Sequence, residues 1–356
     1  MTAAQGAKSP SDLVRVALVG CGQWGLNYLR AFGELDGCSV VYACDVSADR
    51  LREAERRRPG IKVTNDLQEL LANSDVDAVV VAVEATRHFE VAKQVLESGK
   101  HCLVEKPMTT DLADAEALGD VAAKSGGVLM VGHVFRHNPA INYIRDLVAA
   151  GGVGDLLYLY FTRTNLGPIR SDVNVVWDLM THDVSIVLHF LNQLPEWVSA
   201  QGACYLRPDC EDVAFATLGF GSGLVANMRV SWLDPRKVRE ITLVGTRRMV
   251  VFDDTAAEPV RLYDKGALKE PAYDTFGEFK LVTHSGDVTI PAIRPEEPLK
   301  AQCQHFLDSV RAGKVRLGDP RDGVRVVEVM TAINESIAHQ GSPVRLRQES
   351  TAPVTP

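Results

Sequence analysis

From Leu13 to about Gly132, short apolar runs alternate with amphipathic segments. "LVRVALVG", "CSVVYACD", "DAVVVAV", "HCLVE" and "VLMVGH" are the runs, and most are rich in valine. Between them, "HFEVAKQVLESG" and "LADAEALGDVAAKSG" carry helical periodicity and end on glycine. Strands that are apolar throughout, separated by helices, predict a parallel sheet covered on both faces. The pattern therefore predicts an α/β, doubly wound domain over residues 1–132.

After one helix near 138–150 the pattern changes. "DLLYLYFTRT", "EWVSAQGACYL", "DVAFATLGF", "GLVANMRVSWL", "VREITLVG" and "RMVVFDD" follow one another without crossover helices. That succession predicts an α+β domain with a large, open, antiparallel or mixed sheet over residues 133–345. A helix beginning at Trp177 and two near 299–312 and 321–339 would pack on this sheet. The segment 259–298, rich in Pro, Gly and charge, reads as an excursion or partner-contacting arm. Residues 1–12 and a tail over 346–356 read as flexible.

Composition narrows the function classes. The chain has 356 residues, 46% hydrophobic and 24% charged, which suits two ordinary globular domains. A net charge of −8, with no basic cluster interleaved with aromatics, argues against a nucleic-acid surface. No apolar run approaches the roughly 20 residues of a membrane helix, and "MTAAQGAKSPSD" lacks the apolar centre of a signal peptide. The seven cysteines form no C-x-x-C pair and read as small core residues in a reducing compartment, with no metal site. The cytoplasm is the default location.

The glycine turn carries the first chemistry. "VALVGCGQWG" places Gly20, Gly22 and Gly25 directly after the first strand. The first glycine permits the tight turn, the second lets the backbone approach a pyrophosphate, and the third brings helix and strand together. Helix amides at Gln23 and Trp24 then face the phosphates. Asp45 closes the second strand 20 residues past Gly25. Its carboxylate suits the adenosine ribose hydroxyls and repels a 2′-phosphate, so NAD is favoured over NADP. Arg50, a few residues on, could offset that preference.

A second signal lies in "WDLMTHDVSIVLHFL", a polar stripe on an apolar helix. Asp178, His182, Ser185 and His189 recur every three or four residues and share one face. Either the stripe is a buried hydrogen-bond network, or it faces a ligand. "LVEKPM" places Glu105, Lys106 and Pro107 after the fifth strand, where doubly wound domains bind ligands. Pro107 stiffens that turn and steers Lys106 out of helical geometry.

Together "GCGQWG", "HFEVAKQVLESGKHCLVEKP", "GHVFRHNPA" and "WDLMTHDVS" resemble the glucose–fructose oxidoreductase / inositol dehydrogenase / MocA (Gfo/Idh/MocA) family from Val14 to about Leu346. Within the family's D-x-G-x-H-x-x-D signature, Asp178 and His182 are kept, while Met180 replaces the glycine and Ser185 the final acid. The resemblance implies hydride transfer between nicotinamide and a sugar-ring carbinol or ketone, with Lys106, His182 and Asp178 catalytic. Which of Lys106 and His182 moves the proton stays open. The implied cofactor set is Gly20, Gly22, Gln23, Trp24, Gly25, Asp45, Val83, His88, Glu105 and Lys106.

Arg163, Asn165, Arg170 and Asn174 cluster before Trp177, and Arg136 sits in "VFRHNP". Arginine forks suit phosphate or carboxylate. The stretch is similar to the family branch acting on nucleotide-linked sugars, which implies Arg136, Arg163, Asn165 and Trp177 as substrate contacts. The alternatives are an NAD-dependent glycosidase working through transient oxidation and a non-catalytic NAD-sensing regulator. The resemblance also implies a homodimer or homotetramer built through the open sheet.

Overall fold

The computed structural model describes residues 13–268 and 282–347. The chain divides into two compact units, one running to His137 and including Glu296–Val327, the other Asn138–Pro295 with the chain from Glu328 on.

The first unit runs β1 (Val14–Val19), α1 (Gln23–Gly33), β2 (Cys38–Cys44), α2 (Ala48–Arg57), β3 (Lys62–Thr64) and α3 (Leu67–Ala72). It continues with β4 (Ala78–Val81), α4 (His88–Glu97), β5 (His101–Glu105), α5 (Leu112–Ser125) and β6 (Leu129–Gly132). Six strands pair in parallel in the order β3-β2-β1-β4-β5-β6. The order reverses at β1, so the ends of β1 and β4 flank the crevice where such sheets bind ligands. β4 and β6 are buried along their whole length, which explains their uninterrupted hydrophobic runs. Asp66 and Asp111 cap α3 and α5 through their carboxylates, and α5 stops at Gly126, whose φ of 66° suits a glycine. The short β3 and α3 give too little periodicity to be seen in the hydropathy pattern.

The second unit holds α6 (Pro139–Ala149), β7 (Leu156–Leu166), α7 (Thr181–Leu191), β8 (Trp197–Ala203), β9 (Val213–Gly219), β10 (Val225–Ser231) and β11 (Leu233–Gly245). Then come β12 (Met249–Asp253), β13 (Val260–Leu268) and β14 (Val282–Thr289). Two helices, α8 (Pro298–Ala312) and α9 (Pro320–Ala338), precede a last short strand, β15 (Val344–Arg345). Nine strands form one sheet in the order β14-β13-β12-β11-β7-β10-β9-β8-β15, with β7 and β10 parallel in an otherwise antiparallel ladder.

Side chains alternate across this sheet. Leu159, Phe161, Ala216, Met228 and Leu243 are buried on one face. Tyr158, Tyr160 and Phe215 stand on the other at 44%, 37% and 49% exposure, so that face is open within the chain.

Three expectations need correction. The first domain does not end at 132 and leave everything after it to the second, because α8 belongs to the first unit. Its apolar face, Leu299, Cys303, Phe306 and Leu307, joins the core of Leu29 and Phe32 from α1. The amphipathic pattern showed that α8 has a buried side, not which core it enters. The supposed arm at 259–298 contains β13 and β14, which pair with each other and extend the sheet, β14 being its edge strand; residues 269–281 between them lie outside the described residues. The tail expected to be loose from 346 begins anchored: Leu346 is buried and its amide donates to the Glu196 carbonyl at 3.1 Å. Residues 1–12 and 348–356, expected as flexible ends, also lie outside the described residues.

Candidate active site

In the first unit the glycine turn has the geometry a dinucleotide requires. Gly20 sits at φ 92° and donates its amide to the Cys44 carbonyl at 2.8 Å. A Cβ there would lie 2.4 Å from the Ala82 carbonyl oxygen, and one at Gly25 would lie 1.9 Å from the Gly20 carbonyl oxygen. Only glycine fits either position. Around Gly22 nothing lies within 4 Å of a would-be Cβ, so the backbone is open to a close ligand at the start of α1.

Asp45 spans the turn. Its Oδ2 accepts from the Cys21 amide at 2.7 Å and its Oδ1 from the Ser47 amide at 2.8 Å. Each oxygen keeps a further acceptor site for a ribose hydroxyl. Arg50 Nη1 stands 3.7 Å from Oδ2 on a side chain that is 59% exposed. These residues fit NAD.

Around β5 three of the residues expected at the cofactor, Trp24, His88 and Glu105, also hydrogen-bond within the unit. Glu105 is buried, at 6% exposure. Its Oε1 accepts from Trp24 Nε1 at 2.5 Å and from the Tyr28 hydroxyl, and its Oε2 from the Lys106 amide at 3.0 Å. Gln302 of α8 donates to the Tyr28 oxygen at 2.7 Å. Burial pushes the Glu105 carboxyl above its usual range, against the opposing pull of Tyr28, the Lys106 charge and Trp24. The carboxyl is thus spent on bracing Lys106, and the Trp24 indole N–H is spent on the carboxyl.

His88 is likewise a brace. Its ring nitrogens lie 2.7 Å from the Pro107 carbonyl and 3.2 Å from the Val83 carbonyl, tying the ends of β5 and β4 together. Val83 contributes that carbonyl, and its amide would lie 2.9 Å from a Cβ at Gly20. Lys106 is half-buried in the turn after β5. Arg136, expected on substrate, is buried and paired with Asp322 at 2.6 Å.

In the second unit the stripe divides. One π-helical turn, Val176–Met180, precedes α7 and inserts an extra residue into the helical phase. Asp178 and His182 are half-buried near that junction. Asp178 accepts from Trp232 Nε1 at 3.0 Å and lies 3.4 Å from Arg170 Nη1. Ser185 is fully buried and bonds back to the His182 carbonyl at 2.8 Å, while His189 meets Asn142 at 3.0 Å and Arg145 at 3.2 Å. The far half of the stripe is therefore a hydrogen-bond network inside the unit.

The expected substrate arginines separate as well. Arg163 is buried, with Nε 2.9 Å and Nη2 2.7 Å from one oxygen of Asp183, so its fork serves the interior. Arg170 grips Asp172 at 2.9 and 2.5 Å but keeps 30% of its side chain exposed. Asn174 bonds Glu211, Asn334 and the Trp177 amide. Asn165 and Trp177 are half-buried. Sequence reasoning missed Tyr28, Gln302, Trp232, Asp183 and Asp322. Asp183, a carboxylate among apolar residues directly after His182, was the one legible signal.

A glycine turn fitted to a dinucleotide, on a doubly wound sheet with a lysine at the end of β5, defines an NAD-binding oxidoreductase. Residues 14–133 match the model "Oxidoreductase family, NAD-binding Rossmann fold", and residues 141–251 match "GFO/IDH/MocA C-terminal domain". The chain belongs to the Gfo/Idh/MocA family, and NAD is its cofactor.

It is 29% identical over 343 residues to the UDP-N-acetylglucosamine 3-dehydrogenase of Acidithiobacillus ferrooxidans, covering 91% of this chain and 97% of the relative. It is 25% identical to the scyllo-inositol 2-dehydrogenase (NAD(+)) of Bacillus subtilis, covering 94% and 96%. A solved structure of the Acidithiobacillus ferrooxidans enzyme superposes with a TM-score of 0.75 at 26% identity, over 92% of this chain and 98% of that one. Among the described residues no helix is long and apolar enough to cross a membrane.

Proposed function

We propose that this chain transfers hydride between NAD and a ring carbinol or ketone of a nucleotide-linked sugar, as a 3-dehydrogenase or 3-ketoreductase. One observation carries the reading: the chain carries Lys106, Asp178 and His182 and matches the UDP-N-acetylglucosamine 3-dehydrogenase along 91% of its length. NAD supplies the hydride acceptor or donor.

The protein's own groups handle the proton and the oxygen. His182 takes the hydroxyl proton, since an imidazole titrates near neutral pH. Lys106 supplies positive charge suited to negative charge developing on a carbinol oxygen. Asp178, held by Trp232, steadies the helix start. With Arg136 and Arg163 committed inside the protein, Arg170 is the arginine left to meet a diphosphate, helped by Asn165 and Trp177.

The test is NADH formation, with calorimetry alongside, for UDP-N-acetylglucosamine, N-acetylglucosamine and scyllo-inositol. The expected result is tightest binding and turnover for the nucleotide sugar. Equal or better use of the free sugar or the polyol would remove the nucleotide from the assignment. Glycosidic cleavage without net NADH would replace it with the transient-oxidation reading.

We also propose a homodimer or homotetramer, supported by the open sheet face bearing Tyr158, Tyr160 and Phe215. Light scattering should report a multiple of the chain mass, and Tyr160→Asp should lower it; a monomeric mass for the unmodified chain would end the proposal.

A further inference from the structure

Resting on that reading, we propose that Arg163 is a positioning residue for His182: its buried fork on Asp183 sets the rotation of the first turn of α7 and thereby the aim of the imidazole. The π turn just before α7 loosens the usual relation between residue number and helical phase, so spacing from Asp178 does not by itself dictate where His182 points. Two anchors replace it. On one side Asp178 is held by Trp232 at 3.0 Å. On the other, Asp183, the residue after His182, receives Nε and Nη2 of Arg163 at 2.9 and 2.7 Å.

Arg163 stands on β7, a central strand of the sheet, and both side chains of the pair are almost wholly buried, at 5% and 2% exposure. A buried pair is seldom better for stability than apolar residues of the same volume, so its use here is geometric. The planar fork can meet one oxygen with two N–H groups only in a narrow range of orientations. The backbone between the anchors is tied too, with Thr181 Oγ1 donating to the Trp177 carbonyl at 2.7 Å and Ser185 Oγ to the His182 carbonyl at 2.8 Å. Arg239 of β11 adds a favourable charge toward Asp183, and itself pairs with Asp254 at 3.1 Å.

The experiment compares the full chain with R163K and with the double variant R163M/D183L, which removes both charges together. The first readout, on protein without substrate, is the His182 ring resonance by NMR, assigned through its loss in H182Q. The second is kcat and KM with NAD and whichever of UDP-N-acetylglucosamine and scyllo-inositol is turned over. In the double variant the His182 resonance should move or split and kcat should fall about a hundredfold, the scale of an ångström of misplacement, with NAD affinity unchanged. R163K keeps the charge but presents a single ammonium nitrogen in place of the planar fork, and should lower kcat by about three- to tenfold.

A folded double variant with the original resonance and kcat overturns the proposal. If the double variant does not fold, R163K decides alone, and an unchanged kcat and resonance overturn it. The underlying reading fails differently: H182Q would then keep its turnover, and the positioning role would fall with it.

Discussion

The glycine turn and the start of α7 are both motifs, yet they differ in what makes them readable. At the turn the constraint acts on the backbone. Gly20 at φ 92° and Gly25 pressed against the Gly20 carbonyl admit no other residue, so letter and geometry coincide. At α7 the constraint acts between side chains far apart in sequence. Asp178 is held by Trp232, 54 positions away, and Asp183 by Arg163, 20 away. A spacing rule sees the first kind of constraint and only the shadow of the second.

That difference can be pressed experimentally. The sharpest break falls at the turn: Gly20→Ala puts a Cβ against the Ala82 carbonyl in a left-handed conformation, and should cost about 3 kcal/mol or more of stability by thermal melting, with loss of NAD binding. Next is Asp45→Ala, which leaves two turn amides and a ribose without their acceptor. It should weaken NAD by about 1.5–3 kcal/mol in calorimetry and narrow the preference over NADP.

A third prediction concerns His133, which follows β6. Both its ring nitrogens are buried without a hydrogen-bond partner among the described residues. Burial, then the nearby Arg136 charge, pushes its pKa down to about 3. The unfolded chain therefore binds the proton more tightly, near the ordinary value of 6.5. This group's contribution is fully present above pH 6.5 and is lost as pH falls from there toward 3. Urea unfolding should show that slope, flattened in His133→Gln. The smallest effect is expected from Ser185→Ala. Its hydroxyl only bonds back along its own helix, so about 1 kcal/mol or less of stability should be lost and NAD binding left intact.

The legible parts of the fold have the same logic. β1, β4, β5 and β6 announce themselves because a strand buried on both faces has to be apolar throughout. The central strands of the second sheet show because one face alternates against the other. β13 and β14 were hidden in "VRLYDKGAL" and "VTHSGDVT", where polar residues such as Asp264, Lys265, Ser285 and Asp287 interrupt the apolar pattern. The entry of α8 into the first core was not readable either, since an apolar stripe states that a partner exists without naming it.

The motifs place the glycines in the turn after β1, Asp45 directly after β2 and Lys106 directly after β5, as the structure has them. The arginine forks could not be assigned, because the same guanidinium serves a substrate phosphate or a buried aspartate equally well. Arg136 and Arg163 found aspartates within their own units.

The account stands or falls on whether Lys106 and His182 turn a nucleotide-binding protein into a dehydrogenase. The direct measurement pairs calorimetric NAD binding with single-turnover NADH formation in Lys106→Ala and His182→Ala. Each variant should still bind NAD while hydride transfer falls by a factor of about 10²–10⁴. Near-normal NADH formation in either variant would contradict the account.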